Sequence, residues 1–127
     1  MEITVFEKIP ITENLLELFD GEENEVLYVQ RVHSYKGQPI ALCNMFIPIG
    51  IADRTGMNKE SIEKMPVFTF LEQSGLGVVE AAQTISAIAA DAEVSNILKV
   101  KLGEPILFAE RISYDEAKHP VICANFY

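Results

Sequence analysis

Arg31 and His33 are the residues whose types and spacing best suit ligand binding. They lie two residues apart in the β-forming run from Glu25 to Tyr35, so both side chains point to one face of a predicted strand. Leu27 and Val29 make that face largely apolar. A cation there needs a charged partner, either a bound anion or an acidic side chain of the protein. From the residues alone, both partners stay open for Arg31. For His33 both alternatives stay open, and a histidine would make anion affinity depend on pH.

Two further features could contact an anion. Arg111 lies on another predicted strand. Its positive charge there would be paired either with a bound anion or with an acidic side chain of the protein. The predicted helix that begins at Pro66 has free backbone N–H groups in its first turn. Because proline has no N–H, those groups belong to Val67, Phe68 and Thr69.

No catalytic or metal-binding motif accompanies these residues. His33 and His119 have no motif partner, and Cys43 and Cys123 have no basic neighbours in sequence that would activate a thiol. Metal-ligand spacings and phosphate-binding loops are absent from the sequence. We therefore expect a binding domain that is not an enzyme and uses neither a cofactor nor a metal.

The composition indicates one domain that does not bind DNA by itself. With 127 residues, 49% of them hydrophobic, the chain can bury a single core. Ten Lys and Arg against nineteen Asp and Glu give a net charge of −9, which repels DNA phosphates. No apolar run approaches the roughly 18 residues of a membrane span, and both cysteines lie in apolar runs, as buried thiols do. We expect a cytoplasmic protein that does not contact a membrane.

Strands and short helices that would position these residues alternate along the chain. Predicted strands span Ile3 to Pro10, Glu25 to Tyr35, Ile40 to Ile47, Val78 to Ala90, Pro105 to Tyr114 and His119 to Tyr127. Predicted helices follow the caps Thr12, Asn58 and Asp91, another begins at Pro66, Asp20-Gly21 ends the first, and Asp53 to Asn58 is a turn. The alanines between residues 78 and 90 would also suit a helix, but β-branched residues favour a strand. The pattern predicts an antiparallel sheet with short helices.

Residues 25–47 and residues 105–127 each predict a hairpin of two strands, and these two hairpins resemble each other. Arg31 and Arg111 each precede a turn and a proline. After the proline, Asn44 and Asn125 follow at equal distance, and an aromatic residue comes two positions after each asparagine. Coincidence between two ordinary hairpins is the alternative, because prolines and aromatic residues are common at such places. We favour an internal duplication.

Taken together, three motifs resemble the UTRA domain, the ligand-sensing part of the HutC subgroup of GntR-type repressors. They are Gln83-Thr-Ile-Ser-Ala87, Arg111-Ile-Ser-Tyr-Asp115, and Arg31 followed by Gly37-Gln-Pro-Ile-Ala-Leu42. The resemblance covers roughly residues 25 to 127. It implies an α+β fold of the chorismate-lyase type, a small effector held between sheet and helices, and a homodimer.

The same resemblance implies that a winged helix-turn-helix domain precedes this domain and binds the DNA. Residues 1–127 then form one effector-binding domain without that partner. We expect an excised piece of a longer repressor, with a natural stand-alone sensor as the alternative. A chorismate-lyase-like enzyme is the alternative function, since one fold can carry either. A third possible function is that of a stand-alone dimerisation domain that binds no ligand.

The resemblance also assigns candidate contacts. It places two basic residues for a phosphate or carboxylate at Arg31 and His33, so we favour the bound anion for Arg31. It also places a ligand-contacting tyrosine at Tyr127. Thr84, on the polar face of its strand, is either solvent-exposed or a ligand or dimer contact. We predict that a pocket brings together Arg31, His33, Thr84, Arg111 and Tyr127.

Two departures from the family pattern narrow the expected effector. Relatives that sense amino-sugar phosphates carry glutamates where this chain has Cys43 and Ile122. Carboxylates accept hydrogen bonds from hydroxyl and ammonium groups, which these two residues cannot do. We therefore expect a small phosphorylated or carboxylated metabolite with few hydroxyl groups.

Overall fold

The computed structural model describes residues 2–19 and 23–127, which form a six-stranded sheet flanked by short helices. The strands are β1 Glu2–Pro10, β2 Glu25–Tyr35, β3 Gln38–Pro48, β4 Glu80–Ala89, β5 Pro105–Tyr114 and β6 Pro120–Phe126. Their order is β1-β2-β3-β6-β5-β4, and every neighbouring pair is antiparallel. The predicted α+β fold is confirmed, including the strand interpretation of β4.

Helices cover both faces of the sheet. They are α1 Glu13–Phe19, α2 Ile49–Thr55, α3 Lys59–Lys64, α4 Val67–Gln73 and α5 Ala92–Leu98. On the first face, α2, α3 and α4 bury residues such as Ile62 and Leu71 against Val29 of β2. On the second face, α5 packs Val94 and Leu98 onto Leu42, and α1 covers the far end of the sheet. A helix of six or seven residues is marginal alone, so this burial holds the helices in place.

The predicted helix caps are in place. The Asn58 side chain accepts a hydrogen bond from the Ser61 N–H at 2.9 Å, and the Ser61 hydroxyl bonds the Asn58 backbone in return. The Asp91 carboxylate accepts from the Val94 N–H at 2.9 Å, and the Thr12 hydroxyl accepts at the start of α1. The predicted stop of α1 at residues 20 and 21 lies outside the described residues.

Helix α2 corrects the sequence prediction for the middle of the chain. We predicted a turn from Asp53 to Asn58 and two helices between β3 and β4, whereas Ile49–Thr55 forms a third. The terminal signals were present in the sequence. Pro48 precedes the helix, and Gly56 follows it in the left-handed conformation with φ 68°. The β-branched isoleucines of this segment concealed the helix.

The two similar hairpins meet at the centre of the sheet. In β2–β3 the turn residues Lys36 and Gly37 have φ of 51° and 78°, as a tight hairpin turn requires. Strands β3 and β6 pair so that Asn44 lies directly opposite Asn125. These asparagines match each other in the sequence comparison of the hairpins. The register therefore relates the hairpins by an approximate two-fold axis, which agrees with an internal duplication.

The two edges of the sheet differ in character. Edge strand β1 has a register shift between Ile3 and Val5, carries Lys8 and ends at Pro10. These features discourage a further strand from pairing with that edge. Edge strand β4 pairs with β5 in unbroken register, has no charged residue after Glu80, and is exposed along most of its length. Of the two edges, β4 is the better suited to pair with another strand.

Candidate functional site

A pocket of about 200 Å³ lies between the first face of the sheet and the start of α4. We call it the arginine pocket. Its lining residues are Arg31, His33, Cys43, Met45, Pro66, Val67, Phe68, Arg111, Ala124 and Phe126. Three basic side chains thus come together in a mostly apolar lining. Because the strand order places β2 and β5 on opposite sides of β3 and β6, the cations approach the pocket from both sides.

Arg31 forms the buried end of this pocket. Arg31 is only 5% exposed, and one terminal nitrogen of its guanidinium donates a hydrogen bond to the Ile62 carbonyl at 2.7 Å. Ile62 lies in the last turn of α3, where backbone carbonyls lack partners within the helix. Burial lowers the pKa of Arg31 from its usual value, yet an arginine stays protonated at neutral pH. Arg31 therefore anchors α3 while bringing positive charge to the pocket.

Arg111 is held from two sides. Its Nε–H donates to the Gln83 side-chain oxygen at 2.9 Å, and its guanidinium carbon lies 5.0 Å from the centre of the Phe126 ring. Arg111 also lines a neighbouring pocket of about 290 Å³ with Phe68 and Ser113. The guanidinium thus stands where two pockets adjoin.

His33 completes the basic group. Its imidazole is half-buried, and its pKa is lowered, first by burial and also by the positive charge of Arg31. The lowered pKa favours the neutral imidazole at neutral pH. An anion beside it would raise the pKa and favour the charged imidazolium.

The two thiols are poorly suited to covalent chemistry. Burial raises the pKa of Cys43 to about 11, although the nearby Arg31 opposes that shift. Burial also raises the pKa of Cys123 to about 11. Both cysteines are free thiols, and Cys43 contributes to the pocket lining as a small apolar residue. Neither is a ready nucleophile at neutral pH.

The prediction that five residues converge is wrong for Thr84 and Tyr127. Gln83 pairs with Arg111 and shares its face, so Thr84, the next residue, points to the second face and is exposed. Tyr127 also lies on the second face, where its ring centre is 5.1 Å from that of Phe108. It lines a separate open hollow of about 420 Å³ between the ends of β3 and β5. Arg31, His33 and Arg111 do come together.

Of the three residues at the start of α4 that were predicted to contact an anion, two lie at the pocket. Val67 and Phe68 line the arginine pocket, whereas Thr69 is exposed and does not. Whether backbone N–H groups there contact an anion stays a prediction. Ile122, where the resemblance implies a carboxylate in some relatives, is fully buried in the core and does not line the pocket.

Sequence reasoning missed Phe126 and the partner of Arg111. Phe126 pairs with Cys43 on one side and with Ala109 on the other, so it lies on the first face. The sequence prediction selected its neighbour Tyr127, whose side chain lies on the second face. Gln83 entered the sequence analysis only as the first residue of the motif Gln83-Thr-Ile-Ser-Ala87, and no contact was predicted for its side chain. Only the antiparallel register of β4 and β5, which no local signal in the sequence gives, places Gln83 opposite Arg111.

The described ranges contain no group of three or more His, Cys, Asp or Glu side chains arranged to hold a metal. Among the helices of those ranges, none has the length and apolar character needed to cross a membrane.

Comparison with known proteins gives a consistent result. The model of the UTRA domain family matches residues 1–127. A ligand-binding domain of a GntR-family transcriptional regulator from Bordetella bronchiseptica superposes with a TM-score of 0.87, at 21% identity over 98% of this chain and 80% of that chain. A transcriptional regulator from Streptomyces coelicolor superposes with a TM-score of 0.89, at 23% identity over 98% of this chain and 82% of that chain.

The effector domain of PhnF from Mycobacterium smegmatis gives a TM-score of 0.79, at 15% identity over 98% of this chain and 76% of that chain. No curated protein matches the chain. At these identities the solved structures establish the fold.

Proposed function

Because the chain belongs to the UTRA domain family, whose fold is that of ligand-binding domains in GntR-type transcriptional regulators, we propose that it senses a small anion in the arginine pocket. The anion is a phosphorylated or carboxylated metabolite. Its binding is relayed through a homodimer to DNA-binding domains. Regulation is favoured over catalysis because the solved structures of like fold belong to regulators.

The observation that carries the proposal is the meeting of Arg31, His33 and Arg111 in one pocket. The chain has a net charge of −9, so three basic side chains converging around a cavity depart from its overall acidity. A charged ligand in an apolar lining needs charged hydrogen-bond partners, and guanidinium groups suit phosphate and carboxylate oxygens. Each such hydrogen bond contributes about 1.5 to 3 kcal/mol.

The remaining lining argues for an effector with few hydroxyl groups. Cys43, Met45 and Ala124 make up the floor of the pocket, with Phe126 beside Arg111. None of these side chains is a good acceptor for a sugar hydroxyl. A compact anion with a small apolar body fits this chemistry.

Strand β4 supports the homodimer. Its uncharged residues 81–89 include Ile85, which is 61% exposed near the middle of the strand. Exposed, regular and uncharged edge strands are prone to pair with further strands. A second copy offers an identical strand, and antiparallel pairing of the two gives a closed two-fold dimer. Lack of charge in this stretch matters because two copies of so acidic a chain otherwise repel each other.

Regulation then requires that the effector bind two states of the dimer unequally. In the proposed regulator, a winged helix-turn-helix domain N-terminal to these residues contacts the DNA, and the sheet carries the effector and the dimer contact.

Calorimetric titration with inorganic phosphate, sulfate and small carboxylates tests the proposal. We expect saturable binding of at least one anion, lost in Arg111→Ala, which removes a pocket cation without removing the Arg31 contact to α3. Glucosamine, a polyhydroxylated amine without an acidic group, serves as the comparison ligand. Binding of glucosamine with no binding of any anion would overturn the proposal.

A further inference from the structure

We propose that Gln83 positions Arg111 for the anion and thereby makes anion affinity depend on pairing of the β4 edge with a second copy. This inference rests on the proposed function and adds the means by which dimer and pocket communicate. Gln83 acts through Arg111 and is therefore a positioning residue.

The geometry around Arg111 supplies the first argument. Gln83 lies directly opposite Arg111 in the β4–β5 register, and its oxygen accepts from Nε at 2.9 Å. The Phe126 ring, 5.0 Å from the guanidinium carbon, covers another side. Among the described residues this guanidinium makes no other hydrogen bond, so both terminal nitrogens are available to a ligand. A guanidinium fixed through Nε presents those nitrogens in the paired arrangement that suits an anion.

The position of Gln83 supplies the second argument. It projects from an edge strand whose backbone pairs on one side only, and its side chain is exposed. Strands with solvent-exposed backbone hydrogen bonds open locally at low free-energy cost. Each opening of β4 takes Gln83 away from Arg111. Pairing with a second β4 suppresses that opening, so the dimer holds Arg111 in place more of the time.

Linkage then gives the functional consequence. If dimerisation raises anion affinity, the anion must raise the dimerisation affinity by the same factor. The pocket and the dimer contact communicate across one strand pair, through the Gln83–Arg111 hydrogen bond.

Gln83→Met tests the inference, because methionine has similar length but no strong acceptor. Ser86→Ala is the control, since Ser86 lies on the same strand and points to the second face. Phosphate affinity is measured by calorimetry at protein concentrations above and below the dimer dissociation constant, which sedimentation provides. We expect wild type and Ser86→Ala to bind phosphate roughly fivefold more tightly as dimers, near the lower end of typical coupling. Gln83→Met should dimerise yet show the weaker affinity throughout.

A second readout does not depend on any ligand. In nitrogen-15 spectra, the Arg111 Nε–H should exchange slowly with water in the wild-type dimer and rapidly in Gln83→Met. Equal exchange and equal phosphate affinity in the two proteins would overturn the role of Gln83. If wild type binds neither phosphate nor any other anion while the exchange difference is present, the proposed function fails, and the hydrogen bond is structural only.

Discussion

Arg31 and Arg111 occupy equivalent positions on either side of the directly paired residues Asn44 and Asn125. Arg31 lies one residue beyond the β2 partner of Asn44, and Arg111 one residue beyond the β5 partner of Asn125. Both point to the first face. Three strand spacings separate their backbones by roughly 14 Å across the sheet. Both residues line the arginine pocket.

The two arginines should respond differently to mutation. Arg111→Ala should weaken anion binding roughly ten- to a hundredfold with little loss of stability, because a charged hydrogen bond contributes about 1.5 to 3 kcal/mol. Arg31→Ala should weaken binding as much and also lower the free energy of unfolding by about 1 to 3 kcal/mol, since the Ile62 carbonyl loses its donor. Sulfate titration and urea unfolding measure the two effects. Equal sulfate affinity in wild type and Arg111→Ala would contradict the assignment.

Anion affinity should increase as the pH falls. His33 has a pKa below its ordinary 6.5 in the free pocket, because burial and Arg31 disfavour its charged form. A bound anion raises that pKa, so affinity increases below the bound-state pKa and levels off below the free-state pKa. Sulfate is the suitable probe, since it does not titrate between pH 5 and 8. His33→Gln should flatten the profile; an unchanged pH dependence would exclude His33 from the site.

A lysine at the centre of β4 should produce a monomer. Ile85→Lys places a charge on the exposed edge, and two such charges meet when the strands pair. Because Ile85 is 61% exposed, the substitution should change monomer stability little. Sedimentation velocity measures the result. Ile40→Lys is the matched control, since Ile40 is 62% exposed on β3, away from that edge. Dimers of undiminished affinity in Ile85→Lys would place the contact elsewhere.

The thiols should react slowly in the native protein. The pKa of Cys43 is raised from 9.0 to about 11, so its thiolate fraction at pH 7.5 falls about a hundredfold. Iodoacetamide labelling followed by mass spectrometry should show both cysteines protected, and urea should expose them together. Rapid labelling of native Cys43 would indicate an activated thiol and would favour the alternative of an enzyme.

The sequence was sufficient for the fold because its signals are local. Strand periodicity, the caps Asn58 and Asp91, and turn residues each act within a few positions. Helix α2 was missed where β-branched residues and terminal signals disagree. The resemblance to a known family then gave the fold class, whereas the order of the strands was not predicted.

The site was predicted only in part because side-chain direction depends on register. Arg31 and His33 were placed correctly by alternation within one strand. Tyr127 and Thr84 were not, because relating two strands requires knowing which residues face each other across them. A shift of one residue exchanges the two faces of the sheet, and no local signal in β6 fixes that shift.

The arginine pocket spans the junction between the two halves of the sheet. Arg31 and His33 lie on β2, in the half formed by β1, β2 and β3. Arg111 lies on β5, in the half formed by β4, β5 and β6. Within the described residues, the backbone hydrogen bonds that join the halves into one sheet run where residues 42–46 of β3 pair with residues 123–127. An anion held by both arginines is therefore a crosslink across this junction. Its binding energy resists separation of the halves, so the effector doubles as a component of the folded sheet.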